Sequence, residues 1–528
     1  MFKFSKEIKD RLLYHASQGI SYLFLLSFVA YVLFVLYVLV TPNGIESVFA
    51  NFSDLMNTAA SIKALGTYGF FERIPTLSSG KAYLFGAFPP LFAFLGSLID
   101  AFIENPIVST LLLNVAIGIA VIYVLSAHYF KNMDPKAKFI MISFLLINAP
   151  MAYFFPFVSR SRQFLAMFIA LCMFTFIPKR NPIDILKVVV FSFLLFLSHS
   201  HVSFLFILIY FVYLLENSRE NAVFMVPIII GGLLAFPFYY RLGESLFVSP
   251  HYLGCSFSAQ TFFAAQIPIY LVGVLVVIYL WKTVKLQLNE KIATAIYLIP
   301  GVLFVFSLLA ASMDLYYVAD YFVLLQGEVC SAAYISVALT TLLVPIAGKM
   351  KPDQLKNLLV LLMLMEVGSL AYGYVLLHIA DVGHAEFEDI TTILNSNHIT
   401  KVGSAVFYKL PSNITYYEFP LWTYTDYAFV KGVNVTFIDN ILPVQLSKGK
   451  ETDAVVLLFH ALETDDKNEC KINADELRAS NTTALIYATT YKSQLTDVNK
   501  LSGCGLELLM ATEPEEPPVV YVYKLKSN

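Results

Sequence analysis

Four short stretches of the chain hold the side chains whose types and spacing best suit chemistry. Asp54 heads SDLMNTAASIKALG. Ser53 as N-cap, an acid in the first turn and a closing Gly66 predict a helix there, and Leu55, Ala59, Ile62 with Met56 and Ala60 give it one apolar face. The helix dipole favours the ionised form of an acid at that end, so Asp54 is expected as a carboxylate. An isolated Asp in that place also has a plain role, serving only the helix start. Arg160 and Arg162 stand in VSRSRQFLA. Arginine presents a planar fork that matches phosphate or pyrophosphate, and it equally serves as an interfacial anchor. His199 and His201 stand in SHSH, as turn filler or as groups that titrate near neutrality and suit general-base or phosphate-binding work. Arg241, in YYRLGES, is a further candidate for an anionic ligand. Glu328 and Glu366 fall in apolar runs, where an ionisable group is costly and functional by default; for Glu366 a protonated, hydrogen-bonded state is the blander reading. No Gly-rich phosphate loop, zinc spacing or nucleophile elbow occurs. The five cysteines show no metal or redox spacing; Cys470 and Cys504 suit a disulfide only if they face an oxidising compartment.

The elements that must position these residues are set by composition. Of 528 residues 58% are apolar and 14% charged, with a mean hydropathy of +0.69. Soluble domains are about 45–50% apolar and about 25% charged. The average hides a break near residue 380: residues 381–528 carry 12 Lys+Arg against 20 Asp+Glu, a net charge of −8. The expectation is an α-helical polytopic membrane part, 1–380, followed by a soluble α/β domain, 381–528. Apolar runs fall at 19–41, 106–129, 138–158, 163–178, 184–198, 202–215, 222–239, 262–281, 292–312, 323–347 and 357–379, most of them near the length a span needs. With the N-terminus inside and each run a crossing, the inner loops hold 17 positive charges and the outer segments six. Merging the short pair at 184–198 and 202–215 would send seven of the 17 outside. The positive-inside rule therefore prefers eleven crossings, a cytoplasmic N-terminus and an extracytoplasmic C-terminal domain in the cell membrane. The first run reads as an anchor, since no small-residue cleavage site follows it. A near-neutral overall charge of −3 argues against nucleic acid as a partner.

Residues 42–105 form the one long loop of the membrane part, and long loops in compact proteins tend to be functional. After the helix from Ser53, expected on the membrane surface, come GTYGFF, GKAYLFGAFPP and an apolar stretch from Pro90 to Ile103 that is too short to span and long enough to lie in the interface. Asp100 and Glu104 are expected to close that second helix. The order DLMNTAASIKALGTYGF, GKAY, FPPLFAFLGSLI resembles the first outer loop of the GT-C glycosyltransferase superfamily, above all its protein O-mannosyltransferase and aminoarabinose-transferase types. The resemblance implies that Asp54 is the catalytic acidic residue. It implies a donor sugar on a polyprenyl phosphate and transfer to a protein, lipid or glycan acceptor on the extracytoplasmic face; the chemistry of the residues themselves makes Arg160, Arg162, His199, His201 and Arg241 the candidates to hold the donor phosphate. It leaves a divalent cation, Mg or Mn, open as the one candidate cofactor. The stretch from SRSRQ to SHSH also resembles bacterial exopolysaccharide polymerases, which keeps a polymerase as a rival reading; a lipid or glycan transporter is the rival outside enzymes.

In the C-terminal domain, VGSAVFY, VNVTFI, AVVLLF, TALIYA, GLELLM and VVYVYKL read as strands and 385–397, 473–480 and 490–500 as helices, an α/β layer pattern. The segment PLWTYTDYAF is aromatic enough to stack on a sugar or lie on the membrane, and could equally be core. The charge asymmetry gives a direct test. Cysteines placed at Ser79 and Ser447 should react with an impermeant maleimide added to intact cells, and one placed at Asn132 should not. Equal labelling at Asn132 and Ser79 would overturn the eleven-crossing topology.

Overall fold

The computed structural model describes residues 53–69, 90–133, 161–238, 272–296, 346–379, 384–396 and 421–432, six strand segments between 401 and 525, and shorter pieces within 22–51, 135–157 and 298–309. The runs expected at 138–158 and 323–347 fall largely outside these residues, as do Arg160, Arg241, Glu328, Cys470, Cys504 and the helices expected at 473–480 and 490–500.

The described residues of the loop at 42–105 include three helices, α1 (Gly44–Asn51), α2 (Ser53–Tyr68) and α3 (Leu91–Ile103). Helix α2 does not stop at Gly66, as the sequence suggests. It runs on to Tyr68 and ends at Gly69, whose φ of +78° only glycine adopts without strain and whose N–H donates to the Leu65 carbonyl. Helix α2 is packed within the protein on more than its one expected apolar face. Leu55, Met56, Ala59, Ala60, Ile62 and Ala64 have no exposed area at all. Three alanines at 59, 60 and 64 spread over more than one side of the helix and let neighbours approach closely. The Ile62 side chain fills the place a Cβ would take at Gly96 on α3.

Helix α3 ends at Glu104, which takes a left-handed conformation at φ 55° and ψ 28° while its N–H donates to Asp100 O. The next residue starts α4 (Pro106–Val124): the Asn105 side chain accepts from the amides of Ile107 and Val108, and Pro106 fits the first helical position. The Ser109 hydroxyl donates to Asp100 Oδ1 at 3.0 Å and ties the two helices at the corner. Asp100 and Glu104 thus close the second loop helix, as expected.

Behind the loop stand α5 (Ser161–Phe174), α6 (Pro182–Ser198), α7 (Ser200–Asn217) and α8 (Met225–Ala235). The short pair α6 and α7 is not one helix. His199 between them is extended, and the Ser203 hydroxyl donates to the Leu195 carbonyl. Residues eight apart in a continuous helix lie about 12 Å apart along its axis, so that bond requires a sharp bend in the chain. Helix α8 packs on α6 at backbone distance: a Cβ on Gly231 would sit 2.6 Å from Val189 O and 2.9 Å from Phe193 N. Close approach through small residues is how helices associate when lipid tails are as apolar as their side chains. Two continuous helical stretches among the described residues, Pro106–Tyr129 and Arg219–Phe238, are long and apolar enough to cross a membrane. The second exposes Val226, Ile229, Leu233 and Leu234. A surface of that kind matches lipid, not water.

Farther along the chain, α9 (Leu288–Ile296) has its first amides, those of Leu288 and Asn289, capped by the Glu216 carboxylate from the end of α7. Its buried Glu290 pairs with Lys349. Helix α10 (Pro352–Ile379) carries Glu366 on its backbone, and α11 (His384–Ser396) and α12 (Leu421–Val430) follow. Each of the six strand-like runs overlaps a strand: β1 (Lys401–Ala405), β2 (Thr436–Ile438), β3 (Val455–Leu458), β4 (Ala484–Thr489), β5 (Leu506–Ala511) and β6 (Val519–Leu525). They form one sheet in the order β2-β1-β3-β4-β6-β5. The pairs from β2 to β4 are parallel, and β6 joins both β4 and β5 antiparallel. Parallel neighbours need crossover connections, whereas antiparallel β5 and β6 close the edge without one.

Gly231 gives the packing a sharp test. Gly231→Ala pushes a methyl into the α6 backbone, which has no room to yield, and should destabilise by about 1–3 kcal/mol. Gly232→Ala meets only the edge of the Phe196 ring at 3.1 Å and should be tolerated. Thermal unfolding of the two variants in one detergent checks the contrast; equal melting temperatures would refute the close packing.

Candidate functional site

Positions 54, 57 and 61 follow helical spacing and line one face of α2. The structure places Asp54 in the first turn of α2, on the face that carries Asn57 one turn later. On that face Asn57 is half-buried and Ser61 is buried. Helix α5 begins at Ser161, so Arg162 sits in its first turn and reaches across to α2. Its Nη2 donates to Asn57 Oδ1 at 2.9 Å and to Ser61 Oγ at 3.1 Å. The Ser61 hydroxyl itself donates to Asn57 O at 2.7 Å, which turns its lone pairs toward the guanidinium. The other end of the Asn57 amide meets α12: Nδ2 donates to Asp426 Oδ2 at 3.2 Å. Arginine only donates and an ionised carboxylate only accepts, so these two neighbours fix which way the amide points. Asp426 is 3% exposed.

A second set of contacts seats α12 on α2. Lys63 Nζ donates to the carbonyls of Phe429 at 2.8 Å and Val430 at 2.9 Å, the groups a helix C-terminus leaves without partners of its own. The same ammonium lies 5.4 Å from the Phe429 ring centre, and Tyr68 stacks on that ring at 6.4 Å. Burial pushes Lys63 below the ordinary lysine range, and Asp100 opposes that shift. Lys431, just past α12, pairs with Glu46 on α1. The described end of the aromatic segment PLWTYTDYAF, residues 426–429, is therefore core: Tyr427 is 2% and Ala428 0% exposed.

Among the described residues expected from sequence, Arg162 is joined to the Asp54 helix. His199 serves as the N-cap of α7, its Nδ1 accepting from Val202 N at 3.4 Å. His201 lies in the first turn of α7. Gln163, beside Arg162, is 4% exposed and its Oε1 has no hydrogen-bond partner among the described residues. Sequence reasoning passed over Asn57, Ser61 and Asp426. The first two were visible as a polar stripe at i, i+3 and i+7 from Asp54; Asp426 had no such signal. No group of three or more His, Cys, Asp and Glu side chains comes together among the described residues.

No family model matches the chain, and no curated protein matches it. Among solved structures, the crystal structure of ArnT from Cupriavidus metallidurans bound to undecaprenyl phosphate aligns at a TM-score of 0.42 and 11% identity. The alignment covers 93% of this chain and 97% of that one. A likeness of that size leaves the assignment to the residues themselves.

Lys63 supplies the test of how α12 is seated. Lys63→Met keeps the aliphatic stem but removes two charge-assisted bonds, and should cost about 1–2 kcal/mol. Limited proteolysis of the full chain should then cut faster near 421–432. An unchanged cleavage rate would show that the two carbonyls are held some other way.

Proposed function

We propose that the protein is a membrane glycosyltransferase that moves a sugar from a polyprenyl-phosphate donor to an acceptor on the extracytoplasmic face, with a GT-C-like arrangement. The observation that carries the reading is the seating of Arg162 on the polar face of the helix that Asp54 opens. An arginine and an acidic residue are thereby brought to one face of one helix, in the one long loop of the membrane part. In this reading the acceptor hydroxyl loses its proton to Asp54 as its oxygen attacks the anomeric carbon. The bond from that carbon to the donor phosphate breaks with inversion, and the negative charge that grows on the departing phosphate is met by Arg162. Fixed charges aimed at developing charge are the strongest means an enzyme has of lowering such a barrier. The lipid tail stays in the bilayer beside the apolar helices, and the α/β part stands on the same outer side, where it contacts the acceptor. A divalent cation at Asp54 remains part of the proposal, and none of these steps depends on it.

Substitutions at Asp54 and Arg162, with controls at Asp100 and Glu104, test it. Asp54→Asn preserves a good residue for a helix start but cannot accept a proton, and should lower turnover of a polyprenyl-phosphate sugar by about 10²–10⁴. Asp100→Asn and Glu104→Gln, at the corner between α3 and α4, should stay near wild type. Arg162→Gln should weaken donor affinity, with Arg162→Lys restoring it in part because it keeps charge and loses the fork. Wild-type turnover by purified Asp54→Asn would defeat the glycosyltransferase reading and favour a transporter.

A further inference from the structure

We propose that three helix ends, those of Val272–Thr283, α9 and α10, together form a binding surface for an anionic phospholipid of the surrounding bilayer. The surface is independent of the transferase reading and lies among the loops that hold the positive charge. The sequence keeps its lysines in two separate loops, and hydrogen bonds join them. Gln354, in the first turn of α10, donates through Nε2 to Thr283 O at 2.7 Å, and the Tyr279 hydroxyl donates to Gln354 O at 3.1 Å. Trp281 Nε1 donates to Thr294 Oγ1 on α9 at 2.7 Å. Lys282 and Lys285 are thereby brought beside Lys351, whose amide donates to Gln354 Oε1 at 3.0 Å. Lys291 stands three residues before Thr294, on the same face of α9.

The carboxylates of this junction are turned inward or engaged. Glu290 is 2% exposed, pairs with Lys349 and accepts from Gln287 N at 2.9 Å. Glu216 caps the amides of Leu288 and Asn289. Asp353 is exposed in the first turn of α10, where the helix dipole favours it. Lys282, Lys285, Lys291 and Lys351 are all exposed, and no ion pair engages them among the described residues. The outer skin of the junction is therefore more positive than its composition. A neighbouring apolar stripe says what meets it. Leu275, Ile278 and Trp281 are exposed at every third position of one helix, and Lys282 follows directly. Apolar side chains, then an indole, then ammonium groups is the order in which a span leaves hydrocarbon for the headgroup layer. A lipid lying along Leu275 and Ile278 places its headgroup level with Trp281, within reach of lysines from three helix ends. Such basic pockets between helices hold anionic headgroups. A phosphatidylcholine offers the same phosphate but carries a cation of its own, which the four lysines repel. Phosphatidylglycerol carries none.

Trp281 is a built-in reporter. The chain has two tryptophans, so Trp422→Phe leaves Trp281 alone. The full-length Trp422→Phe protein is reconstituted in phosphatidylcholine bilayers, and its fluorescence is titrated with brominated phosphatidylglycerol and, in parallel, brominated phosphatidylcholine. Bromine quenches an indole only at short range, so the two curves give the relative affinity of the lipids beside Trp281. Each lysine near an anionic headgroup strengthens attachment about fivefold, so phosphatidylglycerol should bind at least about tenfold more tightly. That ratio should fall to about twofold or less when Lys282→Gln, Lys285→Gln, Lys291→Gln and Lys351→Gln are combined. A control removes the same charge elsewhere on the side expected to be cytoplasmic, through Lys131→Gln, Lys138→Gln, Lys179→Gln and Arg219→Gln, and should keep the ratio. If the fourfold variant does not fold, the pairs Lys282→Gln with Lys285→Gln and Lys291→Gln with Lys351→Gln should each lose part of it. If Trp422→Phe does not fold, thermal unfolding in detergent replaces the quenching. Added phosphatidylglycerol should then raise the melting temperature of the native chain more than phosphatidylcholine does, and the lysine variants should lose the difference. Equal affinity for the two lipids, an undiminished ratio in the lysine variants, or an equal loss in the control would overturn the proposal; the last would leave only a general attraction of positive loops to an anionic leaflet.

Discussion

The burial of a polar stripe on α2 constrains everything near the site. Asn57, Thr58 and Ser61 sit among Leu55, Met56, Ala59, Ala60 and Ile62, none of which reaches solvent. Polar groups in such surroundings must be bonded, and a cation brought among them must meet acceptors, or each costs several kcal/mol. Arg162 from α5 and Asp426 from α12 meet that demand from opposite ends of one amide. A network of this kind is worth most when complete and becomes a liability when one member is missing. It therefore sets the register of three helices at once. Sliding α5 or α12 by one residue on α2 would strand a charge.

Much of this architecture was legible in the sequence, and the failures have physical causes. The six strands fell on their runs because β-branched and aromatic residues bounded by turn signals leave few alternatives over five or six positions. Helix α2 was visible from its cap and periodicity, but its end was misplaced. Gly66 costs only about 1 kcal/mol inside a helix, and the packing around Ala64 and Leu65 outweighs it, whereas the positive φ at Gly69 is a true stop. Its burial was misread too. A face rich in alanine looks weakly apolar by hydropathy, yet it is the surface that lets α3 come close enough for Ile62 to occupy the space beside Gly96.

The candidate site was half legible for a related reason. Arg162 stood out because basic residues are scarce on the expected outer side, and the structure joins it to the expected helix. His199 drew attention as an ionisable group in a tight turn, and its contact with Val202 N gives it a local capping role. Asp426 was hidden by its context. In PLWTYTDYAF the aromatic residues dominate any reading, and the reason for a single carboxylate among them lies on another helix 369 residues away. Local pattern carries no information about a partner at that separation.

The contact between α2 and α12 also bears on how the chain threads the bilayer. Asn57 with Asp426 and Lys63 with Phe429 are direct hydrogen bonds, so in the proposed topology the loop at 42–105 and α12 share one side of the membrane. The number of crossings between residue 105 and α11 is then even. Ten apolar runs lie in that interval when 184–198 and 202–215 count separately, and nine when they are merged. Parity therefore supports the same division that the positive charges favour. The extended His199 and the Ser203–Leu195 bond provide the bend that such a division needs. The backbone break and the hydrogen bond between distant helices are thus consistent with counting α6 and α7 separately, while the side of the membrane rests on the charge count alone. In the proposed reading, an outer placement lets a lipid-linked donor, anchored by its tail, present its phosphate to Arg162 without leaving the bilayer.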